Sequence, residues 1–113
     1  MITDLAYLRT MAGNDPVFMQ EMIGIFRKQI DELSVALPAY LEKKDFDALS
    51  KAAHKAKSSV AIMGMNTEAE LLKRLELLSR QGRNTEEYGE IVSTFIQRSK
   101  LAVEELDNIN LNE

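Results

Sequence analysis

The chain of 113 residues contains no cysteine. Disulfides and thiolate metal sites are thereby excluded. A single histidine, His54, also rules out a zinc site built from several histidines of one chain. Only 5 Gly and 2 Pro interrupt the sequence, too few for a turn-rich β protein. No run of roughly 18 apolar residues occurs, so no membrane span is expected. The first residues, Met1-Ile2-Thr3-Asp4-Leu5, lack a basic n-region and an apolar h-region, so no signal peptide is read there and a cytoplasmic location is expected. No glycine-rich phosphate loop, Walker-type run or acidic metal constellation is present either. The chain is therefore expected to bind no ATP, and not to phosphorylate itself.

What remains is ordinary for a globular protein: 45% hydrophobic and 28% charged residues. The length suits one domain over residues 1–113, and a monomer, since one bundle of this size can close its own core. The net charge of -4 argues against general nucleic-acid binding, which needs a basic face. The charge is uneven, however. No acidic residue falls between Asp47 and Glu68, whereas Lys51, Lys55 and Lys57 do, and Glu86, Glu87, Glu90, Glu104, Glu105 and Asp107 crowd the C-terminal part. The middle of the chain is a locally positive stretch suited to an anionic ligand or an acidic partner pocket.

Apolar positions recur at steps of three and four, which predicts an all-α protein. A short first helix is expected from an N-cap at Thr3 to about Met11, burying Leu5 and Leu8. Asp15 and Pro16 then form a start signal, and Met22, Ile25, Phe26, Ile30, Leu33 and Leu37 are the expected core stripe of the second helix. Pro38 predicts a kink or a break there, with Tyr40 and Leu41 resuming the stripe. Asp45 caps a third helix from Phe46 to Met63, ended by Gly64 in a left-handed conformation. Thr67 and Glu70 have capping-box spacing for a fourth helix that buries Leu71, Leu72, Leu75 and Leu78 and stops near Gly82. The last helix is expected to pack Tyr88, Ile91, Phe95, Ala102, Leu106 and Ile109. Four long helices with short connections predict an antiparallel four-helix bundle with a short additional N-terminal helix.

The third helix carries the chemistry. Phe46, Leu49, Ala53, Ala56, Val60 and Met63 form its buried stripe, and at about 100° per residue His54 projects roughly 130° from the middle of that stripe, toward water. Lys57 and Ser58 share its side of the helix, and Ala61 follows one turn later. A neutral imidazole has a lone pair able to attack phosphorus, and the resulting P–N bond is labile enough to pass the group on. Phosphoryl transfer asks mainly for alignment and charge stabilisation. Lys57 would supply positive charge, Ser58 or Ser59 a hydrogen bond, and the small Ala61 an open approach. Standing alone, an exposed histidine is ordinarily a polar surface residue; the residues around it make the case.

The run AHKAKSSVAIMGM resembles the histidine-containing phosphotransfer (HPt) family, whose motif reads roughly A-H-x-L-K-G-S-x-x-x-x-G. His54 falls on the phosphoacceptor, Lys57 on the lysine three residues later, Ser59 on the small residue after the motif's glycine, and Gly64 on the terminal glycine. Phe26, the Asp45-Phe46-Asp47-Ala48-Leu49 entry and the Leu75-Glu76 pair also sit where the family has such residues. Two positions depart from the pattern: Ser58 replaces a glycine where a partner backbone comes close, and Ala56 replaces a core leucine. The resemblance implies a relay in which the phosphoaspartate of a receiver domain donates to His54, which then donates to another receiver. Mg²⁺ would belong to the receiver, with no cofactor of the chain's own. It further implies docking through Lys51, Lys55, Ser58 and Arg80, and a hydrogen bond between Glu76 and the imidazole or its surroundings. The competing expectation is a bundle that docks receivers without transferring phosphate.

Overall fold

The structure is a computed structural model and describes residues 2–109. The described residues form helices and connections, with no strand among them. A short helix α1 (Ala6–Met11) precedes four long ones, α2 (Pro16–Lys43), α3 (Phe46–Ile62), α4 (Asn66–Gln81) and α5 (Tyr88–Asp107), the last entered through a 3₁₀ turn at Thr85–Glu87. Each long helix packs on two others, in the ring α2–α3–α4–α5, and the α3–α4 pair is the most extensive. The short connections turn each helix back on the one before it. Ser50 and Glu76 meet across α3 and α4, and Glu68 and Arg98 across α4 and α5, as antiparallel neighbours must. The result is an elongated body of 45 × 20 × 20 Å.

Local signals account for most helix boundaries. The Asp15 carboxylate accepts from Val17 N at 3.0 Å with Pro16 in the first turn, and the Asp45 carboxylate accepts from Ala48 N at 3.1 Å. Gly82 ends α4 in the left-handed region. Two expected caps are not used. Thr3 does not cap α1: the helix begins at Ala6, and the Thr3 hydroxyl instead donates to Glu105 on α5 at 3.1 Å. The capping box at Thr67 does not form, because α4 starts at Asn66, two residues before a Thr67 cap would start it, and puts Thr67 inside the first turn. Buried Glu68 is ion-paired there with Arg98, which ties α4 to α5.

One core runs the length of the bundle and includes Leu8, Phe26, Leu37, Leu49, Val60, Leu72, Leu75, Tyr88 and Phe95. On α2 the buried stripe is Met19, Ile23, Phe26, Ile30, Leu33 and Leu37. Ile25, expected inside, is 64% exposed, and Met22 only half-buried. The steps of four and three from Met19 onward satisfy a heptad seam, which Ile25 falls off by one position. Leu71 is likewise half-buried while its neighbours Leu72, Leu75 and Leu78 are buried. Pro38 does not split the second helix, which continues unbroken to Lys43. Pro38 sits on the exposed face, so only the missing N–H partner for the Ser34 carbonyl is lost.

Gly64 is fixed by a close approach. Its φ of +70° is in the left-handed region, and a Cβ there would lie 2.2 Å from the Asp4 backbone oxygen. The N-terminal segment crosses at this point, with Asp4 N donating to Met63 O at 3.0 Å. Gly64→Ala should therefore destabilise the protein by about 2 kcal/mol, from left-handed strain and displaced backbone together. Urea unfolding reads this directly, and a loss below about 0.5 kcal/mol would show that the crossing does not constrain this position.

Candidate functional site

The third helix presents its two faces as its sequence requires. Ala53, Ala56 and Val60 are at most 1% exposed, whereas the His54 side chain is 64% exposed. The residue at position 56 is buried as an alanine, without the bulk of a leucine. Small residues on this face let α4 lie close, and the Ser50 hydroxyl donates to the Glu76 backbone oxygen at 3.2 Å.

Glu76 is the centre of the site. Its carboxylate is 8% exposed and gathers three side chains. His54 Nδ1 lies 2.8 Å from Oε2, Lys57 Nζ donates to Oε1 at 2.7 Å, and Arg80 donates to Oε2 at 2.6 Å. The hydrogen bond from Lys57 holds the Glu76 carboxyl below the usual glutamate value of 4.5; burial opposes this shift, and the contact with His54 adds to it. A carboxylate in that state only accepts. The atom facing it at His54 Nδ1 must therefore carry the proton, so that in the neutral ring the Nε2 lone pair is free. Nδ1 is bonded to Glu76 toward the helix interface, while the side chain as a whole is 64% exposed.

The other expected site residues divide into flanks. Arg80 and Lys57 converge on Glu76 on the α4 side. Lys51 and Lys55 face the opposite way and line a groove of about 390 Å³ between α2 and α3, together with Glu32, Leu33, Ala36 and Tyr40. Lys51 is bonded to Asp47 at 2.9 Å, a contact that raises its pKa. The positive stretch read from the sequence is thus partly neutralised, by Asp47 on its own helix and by Glu76 from the next. Ser58 is exposed and Ser59 half-buried; neither makes a side-chain hydrogen bond among the described residues.

Ser58 and Ala61 join Asp4, Ala6, Tyr7, Ile62, Gly64 and Asn66 around a concavity of about 660 Å³, one to two turns from His54. Tyr7 is 59% exposed there. Sequence reasoning passed over Tyr7 because α1 reaches the histidine helix only through the crossing at Gly64, which local periodicity does not reveal. No cluster of metal-ligating side chains occurs among the described residues.

A family model for the Hpt domain matches residues 21–109. The chain belongs to the Hpt domain family. The match takes in α3, α4 and α5 and most of α2, and so every residue around Glu76; α1 and Tyr7 lie outside it. No curated protein and no solved structure matches the chain. Hpt domains are phosphotransfer modules rather than kinases and interact with receiver domains, so membership gives this Hpt domain a part in phosphorelay signalling. No helix among the described residues is long and apolar enough to cross a membrane.

The lowered Glu76 pKa has a thermodynamic consequence. The folded value lies below the unfolded one, so the contact contributes stability that is present above about pH 4.5 and lost as pH falls through the folded value. Glu76→Gln should remove this component, leaving a flatter acid limb than the wild type's when urea midpoints are compared from neutral pH down to about pH 3. Parallel acid limbs would mean that Glu76 is held no differently in the folded and unfolded chains.

Proposed function

We propose that this Hpt domain accepts a phosphoryl group on His54 Nε2 from the phosphoaspartate of a receiver domain and passes it to a second receiver. The observation that carries this reading is the pairing of a 64% exposed ring with a buried carboxylate on its Nδ1. A nucleophile must present its lone pair outward, and a carboxylate on the inner nitrogen selects the tautomer that does so. In the forward step the Nε2 lone pair forms the N–P bond, and the P–O bond to the receiver aspartate breaks, with its electron pair returning to the aspartate oxygen. The reverse sequence loads the next receiver.

Lys57 supplies positive charge beside the path of the phosphoryl group. Its ammonium rests on Glu76 and needs only a side-chain rotation to meet the equatorial oxygens, where negative charge accumulates. Receivers dock over α3 through Lys51, Lys55, Ser58 and Arg80, with Tyr7 at the margin. Mg²⁺ comes with the receiver, and this chain brings neither ATP nor a metal of its own. The protein acts as a cytoplasmic monomer, and residues 1–113 serve as one domain.

The test is incubation with a phosphorylated receiver and Mg²⁺, following acid-labile, base-stable phosphate. The wild type should take label and His54→Gln none, while His54→Gln still binds the receiver. Lys57→Gln should take label at least about tenfold more slowly, equivalent to about 1.4 kcal/mol of transition-state stabilisation. Binding without labelling, with several receivers that load another Hpt domain, would convert the reading to a docking-only bundle, and Ser58→Gly would then be the variant to restore transfer.

A further inference from the structure

Glu76 does more than the acceptance step requires. The lone pair of Nε2 is used once, when the phosphoryl group arrives; the contact at Nδ1 persists afterwards, because phosphorylation adds its group at the far nitrogen. Oε2, which faces Nδ1 at 2.8 Å, also receives Arg80, while Oε1 receives Lys57. Either basic side chain can swing toward phosphoryl oxygens without taking away the oxygen that faces the ring.

We propose that Glu76 is a positioning residue for discharge: it keeps the proton on Nδ1 of phosphorylated His54 and so holds the ring in its better leaving-group form. The inference rests on the phosphoacceptor role of His54 and concerns what happens once the group is on. When a receiver carboxylate oxygen attacks phosphorus, a P–O bond forms, the P–N bond breaks, and the electron pair returns to Nε2. If Nδ1 holds its proton throughout, the leaving group is a neutral imidazole and no proton has to be delivered during the step. If Nδ1 has lost its proton, the leaving group is an imidazolide, a far poorer one. Hydrolysis follows the same balance, with water as the attacking group and inorganic phosphate as product.

The charges around this pair come from the helices packed about it. On α3 are His54 itself and Lys57, with Lys51 held by Asp47 and Lys55 turned to the α2 groove beside Glu32. On α4 are Arg80, bonded to Glu76, and Arg74, drawn away to Glu87 before α5. On α5, Arg98 is engaged with Glu68, about two turns of α4 away. Among these groups, Glu76 supplies the anion directly on Nδ1, so it is the group whose removal should release the ring proton.

The experiment loads full-length protein with phosphoramidate, a small donor that needs no receiver, and follows loss of phosphate from His54 between about pH 6 and 10. Wild type and Glu76→Gln are compared, with circular dichroism confirming the fold. The loss rate should fall as pH rises in both, but the Glu76→Gln profile should be displaced to lower pH, leaving its phosphohistidine about tenfold longer-lived on the alkaline side. Glutamine keeps the hydrogen-bond geometry, so a purely structural role would leave the profile where it is. Coincident profiles overturn the inference. Should Glu76→Gln not fold, Glu76→Asp, which keeps the charge but draws it back from Nδ1, is compared in the same way; a smaller downward shift is expected, and coincident profiles overturn the inference. Loading by phosphoramidate but not by any receiver would instead count against the relay and leave this inference measurable. Failure of phosphoramidate to label the wild type would overturn both, since Nε2 would then not be open.

Discussion

A carboxylate taken out of water must be met by donors, because a buried unpaired charge costs several kcal/mol. Glu76 meets that demand with one side chain from its own helix and two from α3, and the chemistry of the site follows from which atoms they are. His54 gives its inner nitrogen, so its outer nitrogen is left free of the carboxylate. Lys57 and Arg80 give their charge to the carboxylate and hold it near the ring. The contact is at once a staple between α3 and α4 and the device that sets the tautomer.

For one glutamate to reach across, the two helices must lie close. Ser50, Ala53 and Ala56 make the α3 face thin enough, and Ser50 spends its hydroxyl on the Glu76 backbone carbonyl, fixing the register of the two helices at the position that matters. Gly64 supports the same register from the end of α3, where the N-terminal segment crosses with no room for a side chain. The rigid part of the site is therefore helical backbone, while the parts that would move during the proposed transfer, Lys57 and Arg80, are long side chains at partly exposed positions.

The helices, the Asp15 and Asp45 caps, the Gly64 and Gly82 stops and the outward face of His54 were legible in the sequence, since each depends on residues within a turn or two. Ile25 was placed inside beside Phe26, although the seam through Phe26, Ile30, Leu33 and Leu37 continues back to Ile23 and Met19 and leaves Ile25 one position off it. Thr3 and Thr67 have good capping chemistry, but Thr3 is claimed by Glu105 on α5, and α4 starts one residue ahead of Thr67. The hydrogen bond between the imidazole and Glu76 was an expectation from family resemblance. That Lys57 and Arg80 share the same carboxylate depends on the packing angle of α3 on α4, which no local pattern encodes. Tyr7 was missed because the crossing at Gly64 that brings α1 to the histidine helix is equally non-local.

With one histidine in the chain, the central claim can be read without interference. Imidazole nitrogen resonances of ¹⁵N-labelled protein, recorded by long-range ¹H–¹⁵N correlation at a pH where the ring is neutral, report which nitrogen carries the proton. The account requires Nδ1 to be protonated and Nε2 to be bare. A ring protonated mainly on Nε2, the tautomer that free histidine prefers, would contradict it and remove the reason for Glu76 to lie beneath the histidine.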